Sequence, residues 1–417
     1  MARKRQGGSG PENETLYDFK TSDGALIDVA EQAPVPRLLD YIFEAGITAN
    51  STDIHFDWHE DGLVVRFRID GVLHDVLNVA PSTALALVSR LKVLANMDIV
   101  ERRHAQDGRL SVTLFGNEHD MRLATVPTTM GEKVAVRVMT TRATFSNLKE
   151  LGLADDQMQL VEGFIERPYG MILATGPVGC GKTTTLYSAL MNINERSDNV
   201  MTIEDPVEYR IIGTNQVQVN SRVDFSFAEG LRAMLRQDPD TIMVGEIRDN
   251  ETAKIAVWAA LTGVLVLSTI HSNDAPSTVT TLFNFDIPGF LISNSLIGIV
   301  SQRLIRKICP HCIEKYKPDT DLLKQMGVDA KKYKDAEFNR AKGCAECFHT
   351  GHSGRTGVFE VMDCNEEIKD LIFRQTTREV IRQVARDTGM KTLKESALEK
   401  VRAGTTTVEE YFRVVYV

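Results

Sequence analysis

One glycine-rich segment has the residue types and the spacing of a phosphate-binding loop. Residues 176–183 read Gly-Pro-Val-Gly-Cys-Gly-Lys-Thr, a complete Gly-x-x-x-x-Gly-Lys-Thr motif between an apolar run and a helical run. In such a loop backbone N–H groups surround the phosphates, the lysine reaches the β- and γ-phosphates, and the threonine hydroxyl binds Mg²⁺. A chance glycine-rich turn is the plain alternative. The predicted nucleotide-binding residues are Gly176, Pro177, Val178, Gly179, Cys180, Gly181, Lys182, Thr183 and Thr184.

Acidic residues and a histidine follow three other short apolar runs, each of which predicts a β-strand. Glu246 comes after Gly245, a second run ends in Glu204 and Asp205, and His271 follows the third. We predict that Glu246 polarises the attacking water, and that a cation offsets the charge at Glu204 and Asp205. His271 is a candidate sensor of the γ-phosphate, with a structural histidine as the alternative. The four strands are predicted at residues 171–175, 200–203, 241–244 and 264–269.

Four of the six cysteines occur as two Cys-x-x-Cys pairs, with 31 residues between the pairs. Four thiolates at this spacing suit a tetrahedral structural Zn²⁺. Two reduced cysteine pairs without metal are the alternative. The predicted zinc ligands are Cys309, Cys312, Cys344 and Cys347, and the possible substitute ligands are His311, His349 and His352.

Composition and charge limit the classes of function. The 417-residue chain has 43% apolar residues and a formal net charge of −9, which argues against a protein that coats nucleic acid or anionic lipid. No apolar segment follows the basic N-terminus, so no secretory signal is predicted. The longest apolar stretch, residues 255–270, is shorter than the roughly 20 residues that span a bilayer. We therefore expect only peripheral membrane contact and no specific nucleic acid partner.

The elements that must position these residues follow two patterns. Up to about residue 305, short β-branched runs alternate with helical runs, which predicts βαβ units and a mostly parallel sheet with its chemistry at the carboxyl ends of the strands. Residues 16–145 instead combine alternating strands with a helical run and predict an α+β region. Hairpin turns are predicted at Asp70-Gly71 and Gly116-Asn117.

Together these motifs resemble the secretion ATPase superfamily, whose members power type II secretion, type IV pili and conjugation machines. The resemblance rests on the phosphate loop continued by Thr-Thr-Leu-Tyr, on residues 202–209, 235–240 and 243–249, and on the His271 segment, and it covers residues 35–417. It implies an α/β fold with a RecA-like P-loop core, a PAS-like N-terminal domain and a tetracysteine zinc subdomain. The expected segments are a disordered tail (1–33), the PAS-like domain (34–145), the RecA-like domain (146–305), the zinc subdomain (306–350) and a C-terminal helical region (351–417).

The resemblance also assigns roles to particular residues, with ATP, Mg²⁺ and structural Zn²⁺ as the implied cofactors. Glu246 would be the catalytic base, and His271 would couple the nucleotide to the fold. Arg109 and Arg122 match positions where the family places arginines near the γ-phosphate. The implied catalytic residues are Glu246, Glu204, His271, Arg109 and Arg122, and the implied magnesium ligands are Thr183, Glu204 and Asp205. Cys180 stands where the family commonly has serine.

The function implied is that of a cytoplasmic homohexamer, peripherally associated with the inner membrane. It would hydrolyse ATP to drive type IV pilus assembly or type II secretion through a platform protein of that membrane. The additional N-terminal docking domain of many family members is expected to be absent. A pilus retraction motor is the closest rival, although the tetracysteine insert is typical of the assembly and secretion branch. A nucleotide-gated assembly module with little turnover is a second rival. A DNA-translocating role for the zinc region, which the net charge disfavours, is a third.

Overall fold

The computed structural model describes residues 20–21, 24–25, 34–139, 148–193, 198–328 and 337–415. These residues divide into two units, one comprising the chain up to Thr141 with Gly343–Thr350, the other comprising Arg142–Lys342 and Gly351–Val417. The predicted tail lies outside the described residues, except for two short strands, β1 (Lys20–Thr21) and β2 (Gly24–Ala25). The expected boundary between the PAS-like and RecA-like domains falls at residues 140–147, which also lie outside the described residues.

The first unit is built on an antiparallel sheet with one buried face. Its strands are β3 (Asp53–His59), β4 (Gly62–Ile69), β5 (Val72–Val79), β6 (Gln106–Leu114), β7 (Asn117–Pro127) and β8 (Glu132–Val138). The spatial order is β5-β4-β3-β8-β7-β6. Alternate residues such as Ile54, Phe56 and Phe67 form one core with helices α1 (Val35–Thr48) and α2 (Pro81–Leu94). The polar residues between them lie on the other face, as the two-residue period of a strand requires.

Two tight turns set the register of this sheet. Asp70 and Gly71 join β4 to β5 with φ of 49° and 85°, as the sequence predicts for a two-residue hairpin. The second turn is formed by Phe115 and Gly116, with φ of 52° and 75°, and so begins one residue before the predicted Gly116-Asn117. Asn117 is instead the first residue of β7, paired with Leu114.

The second unit is built on a seven-stranded sheet in the order β11-β10-β12-β13-β9-β14-β17, parallel except for β17. The strands are β9 (Gly170–Thr175), β10 (Val200–Glu204), β11 (Asn215–Gln218), β12 (Thr241–Val244), β13 (Leu265–Ile270), β14 (Leu296–Ile308) and β17 (His352–Asp363). The four predicted strands correspond to β9, β10, β12 and β13. These strands are buried along their full length, which explains why they appear in the sequence as continuous apolar runs.

Helices cover both faces of this sheet. One face packs on α3 (Asp155–Ile165) and α4 (Lys182–Ile193). The other face packs on α5 (Phe227–Met234), α6 (Asn250–Leu261), α7 (Ala275–Asn284), α8 (Gly289–Ser295), α10 (Glu366–Phe373) and α11 (Arg378–Asp387). Neighbouring residues of β9 divide between the two cores, Met171 and Leu173 to one and Ile172 and Ala174 to the other.

The end of the chain forms a further core around β14 and β17. Strands β15 (Ile313–Tyr316) and β16 (Phe338–Ala341) form a two-stranded sheet, with α9 (Thr320–Gln325) between them in the chain. Buried residues of α9 and β16 pack with those of α12 (Leu393–Arg402) and α13 (Val408–Val415). The segment from residue 351, predicted as helical, begins with the strand β17 and is helical from Glu366. Among the described helices, none is long and apolar enough to cross a membrane.

Candidate active site and metal centre

The glycine-rich loop joins β9 to the N-terminus of α4, as predicted. Gly176, Gly179 and Gly181 have φ of 144°, 76° and 91°, values that L-residues rarely adopt. The ammonium group of Lys182 donates hydrogen bonds to the carbonyls of Gly176 (2.9 Å) and Pro177 (3.1 Å). The lysine therefore folds over the loop, and the helix N-terminus adds the positive potential that favours phosphate.

The phosphate loop packs closely against strand β14 and against the side chain of Cys180. A Cβ atom on Gly176 would lie 2.5 Å from the carbonyl oxygen of Gln302 and 2.7 Å from Sγ of Cys180, so only glycine fits. Cys180 is buried, and burial raises the pKa of its thiol. Cys180 is thus a neutral, inward-facing thiol. Burial lowers the pKa of Lys182, while the charge of Glu246 opposes that shift.

Glu246 and His271 meet at the carboxyl edge of the sheet. Each lies just beyond the end of its strand, and the strands β12, β13 and β9 are neighbours. Nε2 of His271 lies 3.7 Å from one carboxylate oxygen of Glu246, and Arg248 forms an ion pair with the other. The side chain of Glu246 is only 14% exposed, whereas that of His271 is 49% exposed. A base candidate and a polar partner therefore stand beside the phosphate loop, as P-loop hydrolysis requires.

Hydroxyl groups tie the loops at these strand ends to one another. Thr269 donates to the carbonyl of Gly245 (2.8 Å) and accepts at its own carbonyl from the N–H of Ile247 (2.9 Å). Thr175 donates to the carbonyl of Ser272 at 3.2 Å. The loops that follow β9, β12 and β13 are thus fixed relative to one another by hydrogen bonds.

Glu204 occupies a different environment from the other predicted acidic residues. It is 2% exposed, and it accepts hydrogen bonds from Tyr187, from Thr202 (2.5 Å) and from Gln216 (3.2 Å). Burial raises the pKa of this carboxyl. These contacts and its burial enclose the Glu204 carboxylate among protein atoms, unlike the exposed carboxylates that usually bind a metal from solvent. Asp205, the next residue, is exposed.

Arg109 and Arg122 lie side by side in the first unit. They are register partners on β6 and β7, and Arg122 is in turn opposite Arg137 on β8. Arg137 and Arg68 flank Asp53 of β3, with Nε atoms 2.9 and 3.7 Å from its carboxylate. Within the described residues, neither Arg109 nor Arg122 forms an ion pair. Four arginines therefore lie in one row across this sheet, and only Arg109 and Arg122 were predicted from the sequence. The period-two alternation of β4 and β8 is the signal that would have found Arg68 and Arg137.

The four cysteines come together as predicted. Their sulfur atoms all lie within 4.8 Å of one another, and those of Cys344 and Cys347 are 3.7 Å apart. Tetrahedral zinc with Zn–S bonds of about 2.3 Å places sulfur atoms about 3.8 Å apart, so the donor set fits this ion. The histidines at 311, 349 and 352 are not part of the cluster that the described residues form.

The fold and the site define a P-loop nucleotide hydrolase with a RecA-like core and a tetracysteine metal site. The sequence model of the family described as type II/IV secretion system protein matches residues 28–413, and the chain belongs to this family. Type II secretion system protein E of Pseudomonas aeruginosa is 44% identical over 389 residues, covering 93% of this chain and 77% of that protein. Type II secretion system ATPase E of Vibrio cholerae is also 44% identical, over 391 residues, with the same coverage.

Two solved structures agree with the fold. The crystal structure of the pilus retraction motor PilT with bound ADP has a TM-score of 0.58 at 27% identity, covering 89% of this chain and 95% of that one. The ATPase DotB of Legionella pneumophila has a TM-score of 0.67, covering 93% and 98% of the two chains; at 19% identity it supports the fold alone.

These comparisons confirm the predicted superfamily, the fold class and ATP hydrolysis as the activity of a secretion-system motor. The roles of the individual site residues stay predictions.

Proposed function

We propose that the chain is a homohexameric motor that hydrolyses ATP to drive type II protein secretion or type IV pilus assembly. It would work at the cytoplasmic side of the inner membrane through a platform protein of that membrane. The observation that carries the proposal is the phosphate loop meeting Glu246 and His271 at one sheet edge. The names of the curated relatives point to secretion, since the two described above are type II secretion proteins.

In this proposal the nucleotide phosphates lie in the loop of residues 176–183. Lys182 exchanges its hydrogen bonds to loop carbonyls for the β- and γ-phosphate oxygens, and the N-terminus of α4 binds the same charge. Glu246 takes the proton of the attacking water. His271, beside Glu246 and half exposed, responds to the γ-phosphate. Arg109 and Arg122 supply charge that stabilises the transferring phosphoryl group.

The residues present also fit Mg²⁺, which would neutralise phosphate charge in the transition state. Thr183 follows Lys182 in the loop and offers a hydroxyl ligand, and exposed Asp205 offers a carboxylate. Glu204 would act on this ion indirectly, by holding the strand end from which Asp205 projects. The four cysteines would hold a structural zinc that contributes folding energy and takes no part in hydrolysis.

Two variants test the chemistry. Lys182→Ala removes the charge that meets the phosphates, and Glu246→Gln retains the shape of the base but removes its basicity. Each should lower steady-state phosphate release by roughly 10²-fold or more, while Glu246→Gln keeps ATP affinity near that of the unaltered chain. Light scattering of the same preparations would report whether six chains of 46.4 kDa assemble. Near-normal phosphate release from either variant would refute the proposed roles.

The direction of the work is tested in the host cell. Deletion of the gene should abolish export of a secreted protein or formation of surface filaments, and complementation with the unaltered chain, but not with Glu246→Gln, should restore it. A retraction motor gives the opposite result, because its loss leaves more filaments on the surface. A gated module with little turnover would be rescued by Glu246→Gln.

A further inference from the structure

Strand β14 extends past the end of β9 and brings two buried polar side chains to the phosphate loop. Ser301 pairs with Thr175, the last residue of β9, and the next residue of β14 lies against Gly176. Gln302 and Arg303 are 2% and 8% exposed. Since consecutive side chains of a strand point to opposite faces, these two residues reach opposite sides of the loop.

Gln302 uses both ends of its amide on the loop and on the helix that follows it. Its Nε2 donates to the carbonyl of Cys180 at 2.7 Å, and its Oε1 accepts from the hydroxyl of Thr185 at 2.8 Å. The carbonyl of Cys180 lies within the loop, and Thr185 lies in the first turn of α4. Gln302 therefore fixes the loop backbone from which N–H groups are presented to phosphate.

Arg303 fixes the loop that carries His271. Its Nη2 donates to the carbonyl of Asn273 at 2.8 Å, and its Nη1 donates to the carbonyl of Gln302 at 3.1 Å. Its Nε has no hydrogen-bond partner among the described residues. Burial also lowers the pKa of this guanidinium, although it remains charged. A buried charge with an unpaired donor costs stability, so packing alone does not account for an arginine here.

The chain after His271 is fixed from a second side. Asp274 caps α7 and forms an ion pair with Arg382 of α11 at 2.6 Å. The first N–H of α7, that of Ala275, donates to the buried carboxylate of Glu360 at 2.8 Å. These contacts and those of Arg303 hold the backbone that follows His271, and they therefore determine where the histidine side chain lies.

We propose that Gln302 and Arg303 are positioning residues for ATP hydrolysis. Gln302 sets the phosphate loop for nucleotide binding, and Arg303 sets the loop of His271 for the hydrolysis step. In this proposal each residue acts through the loop that it contacts. The first assignment rests on the ATP site, and the second rests on the proposed role of His271, so the two are tested separately.

Gln302→Leu tests the first assignment in the full-length chain. It keeps the volume but leaves the Cys180 carbonyl without its donor, and we expect KM for ATP and Kd for a fluorescent ADP to rise about tenfold or more, with kcat changed less than about threefold. Thr185→Val removes one of the two hydrogen bonds and should have a smaller effect. Ser301→Ala is the matched control, because the buried hydroxyl of Ser301 has no partner among the described residues.

Arg303→Met and Arg303→Lys test the second assignment. Methionine keeps the aliphatic stem, and we expect kcat to fall about tenfold or more while KM changes less than about threefold. Lysine keeps the charge and an N–H donor group, so it should recover part of kcat. If the methionine variant does not fold, the lysine variant alone provides the test. His271→Ala provides the reference for the loss of the histidine itself.

The outcomes separate positioning from simple destabilisation. An unchanged KM in Gln302→Leu overturns the first assignment. The second assignment is overturned by an unchanged kcat in both Arg303 variants. It is also overturned if kcat falls in the Arg303 variants while His271→Ala hydrolyses ATP at the normal rate. If KM and kcat change together in both residues' variants, in proportion to the loss of melting temperature, both side chains are structural only. A normal His271→Ala would refute the proposed role of His271 and leave the Gln302 result unaffected.

Discussion

Glu410→Gln should weaken the attachment of the last helix, α13, to strand β14. The carboxylate of Glu410 is 1% exposed and accepts hydrogen bonds from Arg306 at 2.6, 2.9 and 3.0 Å. Arg413 donates two more, at 2.7 and 2.8 Å. Burial alone would raise the pKa of Glu410, but the hydrogen bonds from Arg413 and Arg306 lower it from 4.5 to about 2. The ionised form is therefore the one that the fold stabilises.

The magnitude follows from this pKa shift. Each unit corresponds to about 1.4 kcal/mol, which gives roughly 3 kcal/mol, and because Arg413 is half exposed we expect about 2 to 3 kcal/mol. A lowered pKa in the folded state means that this contribution is fully present above about pH 4.5 and is lost as the pH falls towards 2. The glutamine variant lacks it at every pH, so its deficit should be largest at pH 7.

Hydrogen exchange of the amides of Val408–Val415 measures this local stability without requiring the whole chain to unfold in one step. At pH 7 the protected amides of Glu410→Gln should exchange roughly 30- to 150-fold faster than those of the unaltered chain. Glu409→Gln, one residue earlier and exposed, is the matched control. Equal exchange in the two variants, or a deficit of Glu410→Gln that grows between pH 7 and pH 4, would refute this role of the carboxylate.

Three further predictions concern the metal centre and the site. Protein purified without chelator should contain about one zinc per chain, and Cys309→Ser with Cys344→Ser should lower the melting temperature more than ATP affinity; no zinc and an unchanged melting temperature would rule out the structural metal. Arg109→Ala and Arg122→Ala should lower turnover about tenfold or more with little change in ATP affinity or assembly. Normal turnover in the double variant would show that the two arginines are surface charges without a role in hydrolysis. Glu204→Gln should lower the melting temperature, since a buried carboxylate that accepts three hydrogen bonds becomes an amide; lost turnover with an unchanged melting temperature would favour a direct catalytic role.

The parts of the site that the sequence predicted are those encoded by contiguous residues. The phosphate loop is one uninterrupted segment, and Glu246 and His271 each follow a short apolar run of the length that is typical of a buried strand. Once those strands are parallel neighbours, their carboxyl ends lie at the same edge of the sheet. The four clustered cysteines are predictable for a similar reason, since two short pairs carry the whole donor set of the proposed zinc site.

Other parts depend on contacts that the sequence does not display. Gln302 and Cys180 are 122 residues apart, and nothing in a strand pattern says which side chain will face which loop. Glu204 shows the converse, because its position in an acidic cluster suggests a metal ligand, whereas its contacts with Tyr187 and Gln216 depend on how α4 and β11 pack. The turn at Phe115 was displaced from its prediction because strand pairing, not turn preference, fixed the register there.

A general signal for such positioning residues is nevertheless present in the strands of the motor core. Apolar residues dominate the buried strands, but polar, buried residues occur close to the active-site edge in β9, β10, β13 and β14. They include Thr175, Glu204, Thr269 and Gln302. Burying a polar side chain is unfavourable unless it forms hydrogen bonds. At a strand end, or beside the end of a shorter neighbouring strand as for Gln302, the partners can be the adjacent loops. A polar residue that ends an apolar run therefore indicates a side chain that fixes an adjacent loop. The kinetic tests of Gln302 and Arg303 apply this inference to β14, a strand for which the sequence motifs give no guidance.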